Sequence, residues 1–145
     1  MFQKAQDSDI PDQQESYYAI ALDMISGIGP ATCRKLIDHF GSARAVFEAS
    51  MKELTRVSDI GEITGGAIRA FRDFRKVEKE IAFMNREGIR ILPITHPDYP
   101  QRLLNCNDPP IVLFCRGDVC FNTHRVLAVV GNRRMTDYGR EVCSR

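Results

Sequence analysis

The chain has 145 residues, 43% of them apolar and 27% charged, a balance that suits a globular protein and argues against disorder over most of its length. No window approaches the roughly 18 uninterrupted apolar residues of a membrane-spanning helix, and the opening MFQKAQDSDIPDQQE has no apolar signal core, so a cytoplasmic protein without membrane contact is expected. Twenty basic against nineteen acidic residues leave a formal charge of +1, which excludes attraction of nucleic acid through a large global excess of positive charge.

Residues 1–16 hold Lys4 against Asp7, Asp9, Asp12 and Glu15 and are poor in apolar side chains, so they read as a disordered acidic lead-in. The remainder of the chain is correspondingly basic. From Tyr17 to Gly88 apolar residues recur at helical spacing with short breaks, which predicts an all-α module. Its first helix runs from about Tyr17 to Ile25. A second, from about Ala31 to Phe40, opens with Pro30, where a missing N–H costs nothing, and stops at Gly41. Ser42 and Ser50 are N-cap candidates, and Ser50 with Glu53 has capping-box spacing. One long last helix, about Thr64 to Glu87, aligns Ile68, Phe71, Phe74, Val77, Ile81 and Met84 in a single apolar stripe and ends at Gly88.

Beyond Gly88 the period changes. Ile89 to Ile94, Ile111 to Phe114 and Val126 to Val130 are short β-branched or apolar runs bounded by Pro, Gly and Asp, as buried strands are. A proline-rich loop with a helical turn at Gln101 to Asn105 joins the first two, and the Asp108-Pro109-Pro110 bonds are open to either isomer. The third run leads to Thr136, an N-cap candidate, and a helix. A parallel βαβ unit needs roughly 30 residues and a further strand, so residues 89–145 read as the start of a longer α/β domain. The five cysteines form no Cys-x-x-Cys pair, and His39, His96 and His124 are far apart. Reduced buried thiols, hydrogen-bonded histidines and no metal or other cofactor are expected.

Two patterns carry chemistry. The first is a repeated hairpin: Gly27-Ile28-Gly29 followed by Cys33, Leu36 and Ile37, and Asp59-Ile60-Gly61 followed by Gly65 and Ile68. Glycines at such a turn let the backbone approach a phosphate, and the amides opening the next helix point at it. Copy one suits this use, with Gly27 and Gly29 at the turn and Arg34 and Lys35 one turn further on. Copy two sets Asp59 and Glu62 against an anion and reads as a structural mate. Both also have a plainer reading as tight turns whose Ile28 and Ile60 plug the core, and for copy two that reading is preferred. The arrangement is similar to the helix-hairpin-helix motif, which contacts the sugar-phosphate backbone with little regard to sequence.

The second pattern is Val130-Gly131-Asn132-Arg133-Arg134-Met135-Thr136, a strand, a glycine turn with two arginines, and a helix start. Amides and guanidinium groups gather there as an anion site, without a Gly-x-Gly-x-x-Gly dinucleotide fingerprint or a Walker loop. A plain sheet-to-helix turn with solvated arginines has the same sequence. Read in order, Tyr99-Pro100, Leu103, Asp108-Pro109-Pro110, Leu113-Phe114, Gly117, Val130-Gly131-Asn132-Arg133, Thr136 and Tyr138-Gly139 resemble the opening of the Rossmann-like domain of the DNA-processing protein A (DprA/Smf) family. The helical module in front resembles that family's N-terminal domain. Asn132 stands where the family usually has serine, so a hydroxyl contact does not carry over.

The fold expected is therefore α+β. A SAM-like helix-hairpin-helix module over 17–88 is followed by the truncated beginning of a Rossmann-like domain over 89–145. The resemblance implies a non-enzymatic, single-stranded DNA-binding protein that protects incoming DNA and assists RecA loading in natural transformation, with homodimerisation a property of the full-length protein. It places Gly131, Asn132, Arg133 and Thr136, with Arg134 beside them, against the DNA backbone. Two other readings remain open: a Rossmann-like nucleotide-binding or nucleotide-processing enzyme, and a protein-interaction module. Tyr17, Tyr18 and Phe74 are candidates for stacking on bases, with core packing the plainer use of Phe74. The basic run Arg69, Arg72, Arg75, Lys76 and Lys79 is interrupted by Glu78 and Glu80, as on a solvated face.

Overall fold

The computed structural model describes residues 9–128 and 134–144. Helix α1 spans Asp9–Asp23, α2 Pro30–Phe40, α3 Ala43–Glu48, α4 Met51–Leu54, α5 Glu62–Ala70 and α6 Phe74–Arg86. Two strands, β1 (Ile89–Pro93) and β2 (Val112–Arg116), and a last helix, α7 (Asp137–Ser144), complete a mixed α+β fold with mostly helical content.

The expected helix start at Tyr17 is corrected to Asp9, so half of the acidic lead-in is helical. The reason is tertiary. The Glu15 carboxylate accepts the Ala43 N–H at 2.7 Å and the Arg44 N–H at 3.3 Å, capping the start of α3 from another helix, while Ser16 is buried. The local caps are where the sequence places them. Ser42 accepts the Ala45 N–H at 3.1 Å, and Ser50 and Glu53 form a reciprocal capping box. Gly41 closes α2 at φ +88°, a left-handed position that suits glycine.

The single long helix expected over 64–87 is two helices. Phe71 takes an extended ψ of 129°, and α6 restarts at Phe74. The break holds Phe71 and Phe74 edge-on at 5.1 Å, both facing Phe47 at 6.0 and 5.9 Å, which a straight helix would not bring to one cluster. The apolar stripe survives the break: Ile68, Val77 and Met84 are buried in one core with Leu22, Leu36, Ile37, Val46 and Leu54.

β1 and β2 pair antiparallel, Ile91 opposite Phe114, and not as neighbours in a parallel sheet. Their connection is the proline-rich loop, which doubles back with one 3-10 turn at Leu103–Asn105 and holds no crossover helix. Its anchor is Tyr99, fully buried, whose hydroxyl donates to the Pro110 carbonyl at 2.6 Å; burial pushes this phenol above its usual pKa. No peptide bond among the described residues is cis. Ile111 and Val112 share the core of the helices, so Gly88 marks a change of secondary structure across a continuous core. Residues 126–128 are not strand, and the rest of that expected strand lies outside the described residues. Thr136 caps α7, accepting the Gly139 N–H at 3.1 Å, but α7 buries no residue, and Leu127, Tyr138 and Val142 are exposed.

All five cysteines are free, but only Cys33 and Cys115 are buried, which corrects the expectation of mostly buried thiols. Burial and the nearby Asp23 carboxylate push the Cys33 thiol up to about 12, so the reactive thiolate is scarce at pH 8. Brief alkylation of the folded chain at that pH is expected to modify the exposed Cys106, Cys120 and Cys143 and to spare Cys33 until denaturant is added, which peptide mass spectrometry reads directly.

Candidate nucleic-acid interface

The two hairpins adopt the same backbone path. In each, the first position is left-handed, Gly27 at φ +85° and Asp59 at φ +65°, and the third, Gly29 or Gly61, is an extended N-cap. The turn bonds correspond as well: the Ile28 N–H donates to the Ile25 carbonyl at 3.3 Å, and the Ile60 N–H to the Val57 carbonyl at 3.1 Å. Ile60 is buried and Ile28 half-buried, so both isoleucines do plug the core. Aspartate tolerates the left-handed region better than most residues, which lets it replace glycine here.

The helix mouths differ in charge. Neither α2 nor α5 has a side-chain cap. At α2, Pro30 has no N–H and the Cys33 N–H is bonded to the Gly29 carbonyl, which leaves the Ala31 and Thr32 amides at the mouth, and the first turn carries no acid. At α5, Glu62 occupies the first turn. An anion is favoured at the first mouth and opposed at the second.

The basic side chains expected to assist are both engaged by the protein itself. The Lys35 ammonium meets the Asp59 carboxylate at 2.6 Å, so the second hairpin reaches over to the helix that follows the first. This bond holds the Asp59 carboxyl below the usual aspartate range. The pair is therefore complete above the ordinary aspartate pKa of about 3.9 and is lost only as the pH falls through the lowered value. Both partners are largely exposed, as a screened surface pair is. Arg34 has a different role: its guanidinium donates to the Leu104 carbonyl at 2.8 Å and the Cys106 carbonyl at 3.4 Å, and lies 3.5 Å from Asp38. It fastens α2 to the proline-rich loop through those carbonyls.

Of the second expected site, Gly131, Asn132 and Arg133 lie outside the described residues. Arg134 is exposed, and the Thr136 hydroxyl is occupied in capping α7. The structure thus places Gly27 and Gly29 at the turn, pairs Lys35 with Asp59, and holds Arg34 against the proline-rich loop. The sequence marks Asp59 only as a charge that repels phosphate; its pairing with Lys35 has no local signal.

A tandem of helix-hairpin-helix units joined to a two-stranded antiparallel sheet defines the fold class. Residues 19–71 match the model of the SAM-like helix-hairpin-helix tandem, and residues 90–145 that of DNA recombination-mediator protein A. Over residues 90–145 the chain is thus similar to the DNA-processing protein A family. It is 36% identical over 70 residues to DNA processing protein DprA of Bacillus subtilis (strain 168), 48% of this chain and 24% of that protein. It is also similar to UvrABC system protein C of Brucella abortus (strain 2308), 45% identical over 53 residues, 36% of this chain and 9% of the relative. The matches thus span about a quarter of the DprA relative's length and about a tenth of the UvrABC relative's. No helix among the described residues is long and apolar enough to cross a membrane.

Proposed function

We propose that the chain binds the phosphate backbone of single-stranded DNA as part of a cytoplasmic protein that protects incoming DNA and assists RecA loading during natural transformation. The observation that carries the binding step is the first hairpin, an uncapped helix mouth with two amides available and no acid in its first turn. The recombination role is supported by the match to the recombination-mediator family over residues 90–145. The activity is binding rather than catalysis. Gly131, Asn132, Arg133 and Arg134 supply a second phosphate contact in this reading, through amides and guanidinium groups.

Phosphate contacts release counterions, so affinity falls as salt rises. Anisotropy titrations of a labelled oligothymidylate at about 50 and 200 mM salt are expected to show this fall for the 145-residue chain; salt-independent binding, or none, contradicts the reading. Asp59→Asn adds a sharper test. It releases Lys35 from its internal partner. The variant is expected to bind the strand several-fold more tightly and with a steeper salt dependence, about one further phosphate contact. Lys35→Gln is expected to move both quantities the opposite way. In the full-length protein, acceleration of RecA filament assembly on single strands tests the loading role.

A further inference from the structure

The helical module holds a second concave surface away from the hairpin turns. Between α1, α3, α5 and the corner before α6 lies a cleft of about 250 Å³, walled by Tyr18, Phe47, Phe71 and Phe74 over the buried Ile68. None of the four rings is enclosed; each is half-buried. They form one continuous cluster, with Tyr18 5.6 Å from Phe47 and tilted at 40°, and the three phenylalanines in edge-on or tilted pairs at 5.1 to 6.0 Å. Aromatic surface left in contact with water is costly, and an open cluster of this kind marks a place where something is covered on binding.

The rim identifies the ligand. Arg69 donates to the Phe47 carbonyl at 3.4 Å and the Ala49 carbonyl at 3.5 Å. Arg72 donates to the Arg69 carbonyl at 2.8 Å and the Phe71 carbonyl at 2.7 Å, groups that the break between α5 and α6 leaves available. Main-chain carbonyls orient both guanidinium groups without neutralising them, and neither pairs with a carboxylate among the described residues. Of the acids nearby, Glu48 on the same rim is taken by Arg44 Nε at 2.7 Å, and Asp73 is exposed on the corner, followed by Arg75 and Lys76. Two fixed, uncompensated cations beside open aromatic rings suit a flat π system that carries negative charge next to it. The volume lies below the 300 Å³ at which drug-sized pockets begin, which fits one ring system and leaves the sugar and phosphates outside.

We propose that this cleft takes an unpaired base of a single-stranded nucleic acid, with the adjoining phosphates on Arg69 and Arg72. The inference rests on the reading of the chain as a single-strand binder and adds to it a contact with the base itself, which backbone amides at the hairpin do not supply. Stacking of this kind is tolerant of sequence, because every base has a π face.

The test compares an oligothymidylate with a strand of equal length and charge whose sugars are abasic, both titrated against the 145-residue chain. The abasic strand is expected to bind about tenfold more weakly, equivalent to about 1.4 kcal/mol. The Arg69→Gln, Arg72→Gln double variant is expected to flatten the salt dependence by about two phosphate contacts. Photocrosslinking of the unmodified chain to a strand carrying 5-iododeoxyuridine avoids any question of variant folding, and its adducts are expected on peptides containing Tyr18, Phe47, Phe71 or Phe74. Equal affinity for both strands with adducts elsewhere overturns the cleft assignment, leaves it to a protein contact, and leaves hairpin binding standing. Failure of both strands to bind overturns both.

Discussion

Replacing Ala31 by glutamate is expected to lower the affinity of the chain for single-stranded DNA by about an order of magnitude or more while making the fold slightly more stable. Ala31 is exposed at the second position of α2, where its amide is one of the two left at the helix mouth. A carboxylate there accepts those amides and complements the helix dipole, a gain of about 0.5 kcal/mol in stability. It also occupies the place a phosphate would take and repels one that approaches. The opposed signs make the outcome interpretable, because a variant that lost binding through misfolding would lose stability as well. Thermal unfolding and anisotropy on the same preparation measure both. An Ala31→Glu chain that binds as tightly as the parent removes the first hairpin from the interface. The corresponding change at the second hairpin, Ile63→Glu, lands on an exposed side chain beside an existing acid and is expected to alter binding little.

The second large effect is on the fold. Leu36→Ala is expected to destabilise the chain by about 3 kcal/mol, in the middle of the 2 to 5 kcal/mol range for burying a cavity in place of a leucine side chain. Leu36 is fully buried, and it stands in the first helix-hairpin-helix unit where Ile68 stands in the second. The two units close over one core, so the loss is expected as a single cooperative shift in denaturant midpoint without a change in slope. Ile63→Ala, at a position 91% exposed, is the control and is expected to change stability by no more than about 0.5 kcal/mol. Two separate transitions in the Leu36→Ala chain would show that the hairpins fold independently.

The parts of this protein legible without a structure are those whose cause lies within a helical turn. Pro30 opening α2, Gly41 closing it, the Ser50 and Glu53 capping box and the Thr136 cap are satisfied by groups three or four residues away, and the structure places them as the sequence indicates. The hairpin repeat is legible for the same reason, since its turn requires left-handed backbone at one position and an extended cap two residues later. Even the limit of the first hairpin pattern was visible: acids at Asp59 and Glu62 distinguish the second copy from the first.

Tertiary structure decided everything that depends on residues distant in the chain. Helical periodicity is the same on either side of Phe71, so the break between α5 and α6 is set by rings gathering around Phe47 and not by a local breaker. Strand composition says nothing about direction, and β1 and β2 are antiparallel because the loop anchored by Tyr99 doubles back. Charge alone made Arg34 and Lys35 look like a matched pair of phosphate ligands. Packing separates them, sending Arg34 to carbonyls of the proline-rich loop and Lys35 to Asp59. The sequence by itself thus determined the turns, the caps and the identity of the module, because each is a contest of local backbone conformations. Which charges remain free to meet a ligand was decided only by the assembled fold, because a cation is spent on whichever partner the packing brings within reach.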